Sequence, residues 1–435
     1  MSQNNVADLI YQLGSPEMID RLDALRQLAG KLNEGVIFRP VFGHDVNNHI
    51  HTKYSFSPYS PSQAVWLSYM AGLSTAGIMD HDSVAGAQEF TAAGQIIGLP
   101  TTIGAECRVS FAATQLAGRK TNNPDQISVT YIALHGIPHN QIKGLASFFK
   151  PICIARDLRN RKMTERLNEI LVPLGVPIDY DADVIPLSLA AKGGSVTERH
   201  LLFAVANKLI ARFGSDSKLI EFLSGPLNLT VPGKTATMLT DPNNPHQAYD
   251  LLGLLKSDLV DKFYIPAENE CPPIAEVAAF AKMHGIVLAY PYLGDVTSSV
   301  TGDKRAQAFE DSYLEELFTV IKEIGFNAVT YMPSRNTRVQ LLRLRDLCEK
   351  YELFQISGED INQPRQAFVC EAMRDPFFSN LYDAAWALIG HERLASEQLN
   401  MSMFSSQVTS AMPSLADRII YYRDAALKIY EKDQT

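Results

Sequence analysis

The stretch Asn47-Asn48-His49-Ile50-His51-Thr52-Lys53-Tyr54-Ser55 decides the reading of this chain. In a β-strand, side chains at i and i+2 leave the same face, roughly 6–7 Å apart at the backbone. His49 and His51 on one strand can therefore converge on a single point, with Ile50 turned the other way into packing. Two imidazoles placed like this suit a divalent transition metal. Two hydrogen-bonded polar strand residues would give the same motif, so the rest of the chain has to decide.

Working outward, Asp80-His81-Asp82 follows the run Ser74 to Met79, and Glu106 follows Leu99 to Ala105. His135 ends Ser128 to Leu134, and Asp360 follows Tyr351 to Gly358. Each is a short strand-like run ending in a potential ligand, the pattern of an α/β barrel with its site at the C-terminal ends of the strands. Helix signals separate the first runs. Ser60-Pro61-Ser62-Gln63 places a cap, a first-position proline and a capping-box residue before a helix that should stop near Gly72. Val84, Ala87, Phe90 and Ala93 mark the next helix. This β-α-β rhythm predicts parallel strands, the first four of them ending at His135.

The periodicity then becomes helical from Ala155 to Leu171, Thr197 to Phe213 and Lys218 to Leu223, which predicts an inserted layer or lid over the barrel mouth. His200, inside it beside Arg199, reads as a helix-surface histidine. Helices from Ile274 to His284, Tyr313 to Gly325 and Val339 to Tyr351 feed a fifth strand over Ile286–Tyr290, a sixth over Asn327–Tyr331 and a seventh ending near Gly358. The expected organisation is an N-terminal helical cover (1–43), a first barrel part (44–154), a helical insertion (155–265), a second barrel part (266–365) and a helical C-terminal extension (366–435). The fold class is thus α/β, a distorted seven-stranded TIM-like (β/α)7 barrel.

The formal charge of −9 gives no general basic surface for a phosphate backbone, so nucleic acid is not expected as a partner. No run approaches about 18 apolar residues, so no membrane span is expected. Five cysteines without a C-x-x-C pair, and an N-terminus without a positive region and apolar core, point to a reducing, cytoplasmic setting. Oligomeric state is left open by the sequence.

In combination, His49-Ile50-His51-Thr52 with Ser55, Met79-Asp80-His81-Asp82-Ser83 with Gly86, Gly104-Ala105-Glu106 and the strand ending at His135 make the chain similar to the PHP superfamily, the polymerase-and-histidinol-phosphatase class of metal-dependent phosphoesterases. The resemblance covers approximately residues 45–140 and 270–365. It implies a distorted seven-stranded barrel, divalent zinc, manganese or iron, and hydrolysis of phosphate esters. It implies further that His49, His51, Glu106 and Asp360 form a first metal site, with Glu106 bridging to a second that includes His135. Three places depart from the pattern, the first being Phe56-Ser57, where the resemblance implies an acidic residue or histidine. Tyr290, in Leu288-Ala289-Tyr290-Pro291, and Asn362, in Gly358-Glu359-Asp360-Ile361-Asn362, stand where the superfamily has histidine. Of a third site only His81 remains.

Tyrosine, with a pKa of about 10, and a neutral amide are weak replacements for imidazole, so one or two ions per chain are expected. The preferred function is metal-dependent hydrolysis of a small phosphate ester by a metal-activated water. Asp80 or His81 would orient water or move a proton, and Arg108 and Arg335 would neutralise substrate phosphate oxygens. The alternative is a degenerate PHP-like metal- or ligand-binding protein without phosphoesterase activity. Cleavage of a carbon–nitrogen or carboxylic ester bond is chemically open to the same kind of site.

Overall fold

A computed structural model of the chain describes residues 5–298 and 305–433. Seven strands form one mixed, nearly closed barrel: β1 (Val46–Ile50), β2 (Thr75–His81), β3 (Thr101–Ser110), β4 (Val129–His135), β5 (Val287–Pro291), β8 (Ala328–Tyr331) and β9 (Phe354–Ser357), neighbours in that order. A separate small hairpin holds β6 (Val296–Ser298) and β7 (Arg305–Gln307). The barrel's two ends meet through His51 N–H to Ile361 O at 2.9 Å and Ile361 N–H to His49 O at 3.1 Å. Close approach here needs a residue without Cβ, since a Cβ on Gly358 would lie 2.5 Å from that of His49. The expected distorted (β/α)7 barrel with helical additions is therefore the observed architecture.

One strand departs from the expected parallel rhythm. β4 runs antiparallel to both β3 and β5. No helix lies between Ser110 and Val129, and a parallel crossover needs a connection long enough to return the chain to the same end, usually a helix. The consequence is large: His135 ends β4 just beyond the Leu134–Ala105 pair, one layer below Glu106, and does not stand at the barrel mouth with the ends of β1 and β2.

Local signals act as the sequence predicts around the first helix. It spans Pro61–Met70, the Ser60 hydroxyl accepts from Gln63 N–H at 3.1 Å, and Gly72 turns the chain with φ 81°. Between β4 and β5 the chain is helical, beginning with one long helix over Ile142–Leu171. The following helices build an apolar core of their own around Leu201, Val205, Leu219, Leu255 and Phe263. His200 is buried there rather than on a surface: its Nδ1 accepts from Thr197 N–H at 3.0 Å and its ring meets Phe56 edge-on.

The helices Ser379–Glu397 and Leu415–Asp433 close the N-terminal end of the barrel. Leu388 and Tyr422 pack with Met79, Ala133, Ala289, Ala328 and Phe354 from the barrel interior. Glu392 accepts from Thr102 Oγ1 at 2.8 Å and Ile103 N–H at 2.7 Å. With one end plugged, the open end is left for chemistry.

Candidate metal centre

β1, β2 and β3 run parallel, and their register sets His81 beside Glu106. His49 projects from β1 next to its last residue, His51 follows just beyond the strand, and Asp360 arrives from the loop after β9. The side chains converge. Single ligand atoms of His49, His51 and Glu106 all lie within 4.8 Å of one another. Glu106 Oε2 is 3.6 Å from His49 Nε2, and its Oε1 is 3.3 Å from His51 Nε2. Asp360 Oδ1 is 3.1 Å from His51 Nε2, and His81 Nδ1 is 3.0 Å from Glu106 Oε1.

The donor chemistry of this cluster fits a divalent metal. His49 Nε2 and His51 Nε2 are buried and make no hydrogen bond. A buried polar atom without a partner is costly, and here two imidazole nitrogens face the carboxylates of Glu106 and Asp360. Such a mixed nitrogen and oxygen set is what zinc, manganese or iron takes.

The electrostatics agree. Burial works against charge on His49, but Glu106 and Asp360 outweigh it and hold its pKa above the ordinary histidine value. Burial pushes Glu106 upward, yet His81, His49 and His51 pull harder and bring it down to about 2. Asp360 is likewise held below the usual carboxylate range, burial being outweighed by His51, His49 and Arg199. At His81 burial dominates and lowers the pKa to about 3, leaving a neutral ring.

The shell behind the cluster explains the motif's polar residues. Asp80 is fully buried and accepts from Thr52 N–H at 2.7 Å, Thr52 Oγ1 at 2.6 Å and Ser55 Oγ at 2.6 Å. Ser55 Oγ in turn lies 3.2 Å from His51 Nδ1. Asp80 thus fixes the ring that presents His51 Nε2 and does not line the cavity, a different place from the water-orienting one expected of it. Polar groups behind a ligand set its tautomer and orientation.

Other expected residues fall outside the cluster. His135 is buried in the barrel interior, one layer beneath Glu106, with Nε2 unpartnered and a pKa lowered by burial to about 3. The reversed direction of β4 put it there. Tyr290 lies on the outer face of β5. Alternation sends Val287 and Ala289 inward and Leu288 and Tyr290 outward, where Tyr290 packs near Phe326 with ring centroids 6.3 Å apart. It does not occupy a ligand position. Arg108 is buried in an ion cluster with Glu270, and Glu270 also accepts from Arg156 Nε at 3.3 Å and Arg159 Nε at 2.7 Å. Arg335 does line the cavity, its Nε donating to Leu293 O at 3.0 Å.

Above the cluster is a cavity of about 200 Å³. His49, His81, Glu106 and Asp360 form part of its lining, and Arg199, Lys256 and Glu198 reach it from the helical segment between β4 and β5. Sequence reasoning passed over these three. The helical pattern of the insertion contains no signal saying which helix face covers the barrel mouth.

No family profile matches the chain, and no curated protein is similar to it. Two solved structures are distant likenesses. One, a protein from Bifidobacterium adolescentis named provisionally as a metal-dependent phosphoesterase, is 20% identical, with 78% of this chain and 97% of that one covered and a TM-score of 0.49. The other, an amidohydrolase from Chromobacterium violaceum solved with sulfate and without metal, is 16% identical, with 75% and 90% covered and a TM-score of 0.48.

Proposed function

We propose that the chain is a PHP-like metal- and ligand-binding barrel, in which His49, His51, Glu106 and Asp360 hold a divalent ion and the cavity beside them takes a small phosphorylated molecule. The observation that carries this reading is the pair of buried, unpartnered Nε2 atoms of His49 and His51 facing two carboxylates. Zinc, manganese or iron suits the donor set. One ion per chain is expected and two is the limit, because His135 lies below the cluster and Tyr290 faces away from it. Arg199, Lys256 and Arg335 line the cavity around the ligand atoms and supply positive charge for a phosphate.

Hydrolysis of the bound phosphate ester is the second reading, favoured by the placement of His81. A bound divalent ion supplies Lewis-acid chemistry, drawing charge off a phosphoryl oxygen and making water a better nucleophile at neutral pH. The neutral His81 ring lines the cavity with Nδ1 against Glu106. A proton on Nδ1 leaves Nε2 as the acceptor able to orient water or take its proton.

Metal content of protein prepared without added metal, phosphate binding, and hydrolysis of p-nitrophenyl phosphate separate these readings. Bound metal and phosphate without turnover support the binding protein. Turnover that follows the metal supports the hydrolase. Protein that binds neither would remove both.

A further inference from the structure

The strand order divides the mouth of the barrel into two sides. The ligand cluster sits on the arc β9–β1–β2–β3, through Asp360, His49, His51, His81 and Glu106. The arc β4–β5–β8 lies across from it and contributes a different surface to the same cavity. There the apolar lining residues are Pro124 before β4, Pro291 at the end of β5, Leu293 after it, Phe309, and Met332 after β8. Asn122, Asp125, Tyr131 and Thr330 line the same side, with the Asn122 amide committed to the backbone of Tyr131 and Pro291. Arg335 stands in the loop after β8, and Arg199 and Lys256 come from the helices above.

Resting on the metal-and-phosphate reading, we infer that the ligand is a phosphate monoester of an apolar, ring-bearing alcohol. Its phosphate lies on the His49–Asp360 side and its ring lies against Leu293, Phe309 and Met332. A ring on that wall removes apolar surface from water at no polar cost. Packed against Leu293, Phe309 and Met332, a sugar or polyol would lose hydrogen bonds to water that these three side chains cannot replace. The two-sided lining therefore selects for the alcohol portion as well as for the phosphate, as small-molecule sites with an apolar wall and a few convergent polar groups do.

The test is calorimetric titration of the manganese-loaded full chain with inorganic phosphate, glycerol 2-phosphate, 1-naphthyl phosphate and 1-naphthol. Naphthyl phosphate should bind roughly tenfold or more tightly than glycerol 2-phosphate, since one well-buried apolar group is worth at least that factor. Leu293→Ala and Met332→Ala should each shrink the ratio between the two esters, and near-ultraviolet circular dichroism checks that both variants fold. Equal affinity for both esters would overturn the inference while leaving the phosphate reading in place. Naphthol binding as tightly as its phosphate, with inorganic phosphate not bound, would instead remove the phosphate reading and keep the apolar wall. Absence of binding by all four would overturn both.

Discussion

The side-chain amide of Asn362 donates to Asp360 Oδ1 at 2.5 Å, while its carbonyl oxygen accepts from Arg199 Nη1 at 2.8 Å. Asn362 Nδ2 thereby holds the same oxygen that lies 3.1 Å from His51 Nε2. An asparagine at this position orients a carboxylate ligand and ties it to the helical layer above. The residue has a task of its own here, which a histidine with no carbonyl oxygen could not perform in the same way.

Asn362→Ala should therefore weaken metal binding by about tenfold, the lower end of what removing such an orienting partner costs. Competition with a chelator dye measures it. Arg199→Ala should move affinity in the same direction by less, because the amide still reaches Asp360. Unchanged affinity in Asn362→Ala would show that Asp360 needs no support.

Tyr290→His should not add a metal ion. The ring is buried in the outer packing of β5, so the substitution removes a large side chain from a packed region and buries an extra polar group. A loss of about 2 kcal/mol or more in denaturant unfolding is expected. A gain of bound metal in this variant would contradict the assigned face.

Much of this was legible in the sequence. The spacing of His49 and His51, the cap at Ser60 and the strand runs that carry His81 and Glu106 or lead to Asp360 are local, and local patterns survive into the fold, although β3 runs past Glu106 to Ser110. The misplacements came from topology. Reading His135 as a fourth parallel strand end ignored the missing helix between Ser110 and Val129. Reading Tyr290 by its neighbours Ala289 and Pro291 ignored the period of two that sends it outward. Arg199 and the burial of His200 depend on how a helical layer docks, which spacing along one helix does not encode.

The cluster around Glu270 makes a prediction about Arg108. Glu270 is almost fully buried and is shared by Arg108, Arg156 and Arg159, while Arg156 also pairs with Asp82. Removing its charge in Glu270→Gln leaves buried guanidiniums without compensation, a loss of about 3–5 kcal/mol. Urea unfolding measures this. Phosphate affinity measured on folded Arg108→Met should change little, and a large loss there would restore Arg108 as a ligand-binding residue.

Acid should destabilise the metal-free protein early. His200 and His391 are buried, and burial lowers both pKa values from the ordinary histidine value of 6.5 to about 4. Below pH 6.5 the unfolded chain takes up protons that the folded chain refuses, so stability falls as pH drops from 6.5 toward about 4. The slope is about 1.4 kcal/mol per pH unit for each such proton. Thermal melts should show the decline beginning above the range where carboxylates titrate. A melting point constant from pH 7 to pH 5 would contradict the neutral, buried state of these rings.

The central claim is that His49 and His51, with Glu106 and Asp360, hold the ion. Elemental analysis of the chain after exhaustive dialysis, beside the double variant His49→Ala/His51→Ala, tests it most directly. Wild type should retain one zinc, manganese or iron ion per chain, and the double variant should lose it while keeping its circular dichroism spectrum. Equal metal content in the two proteins would contradict the account.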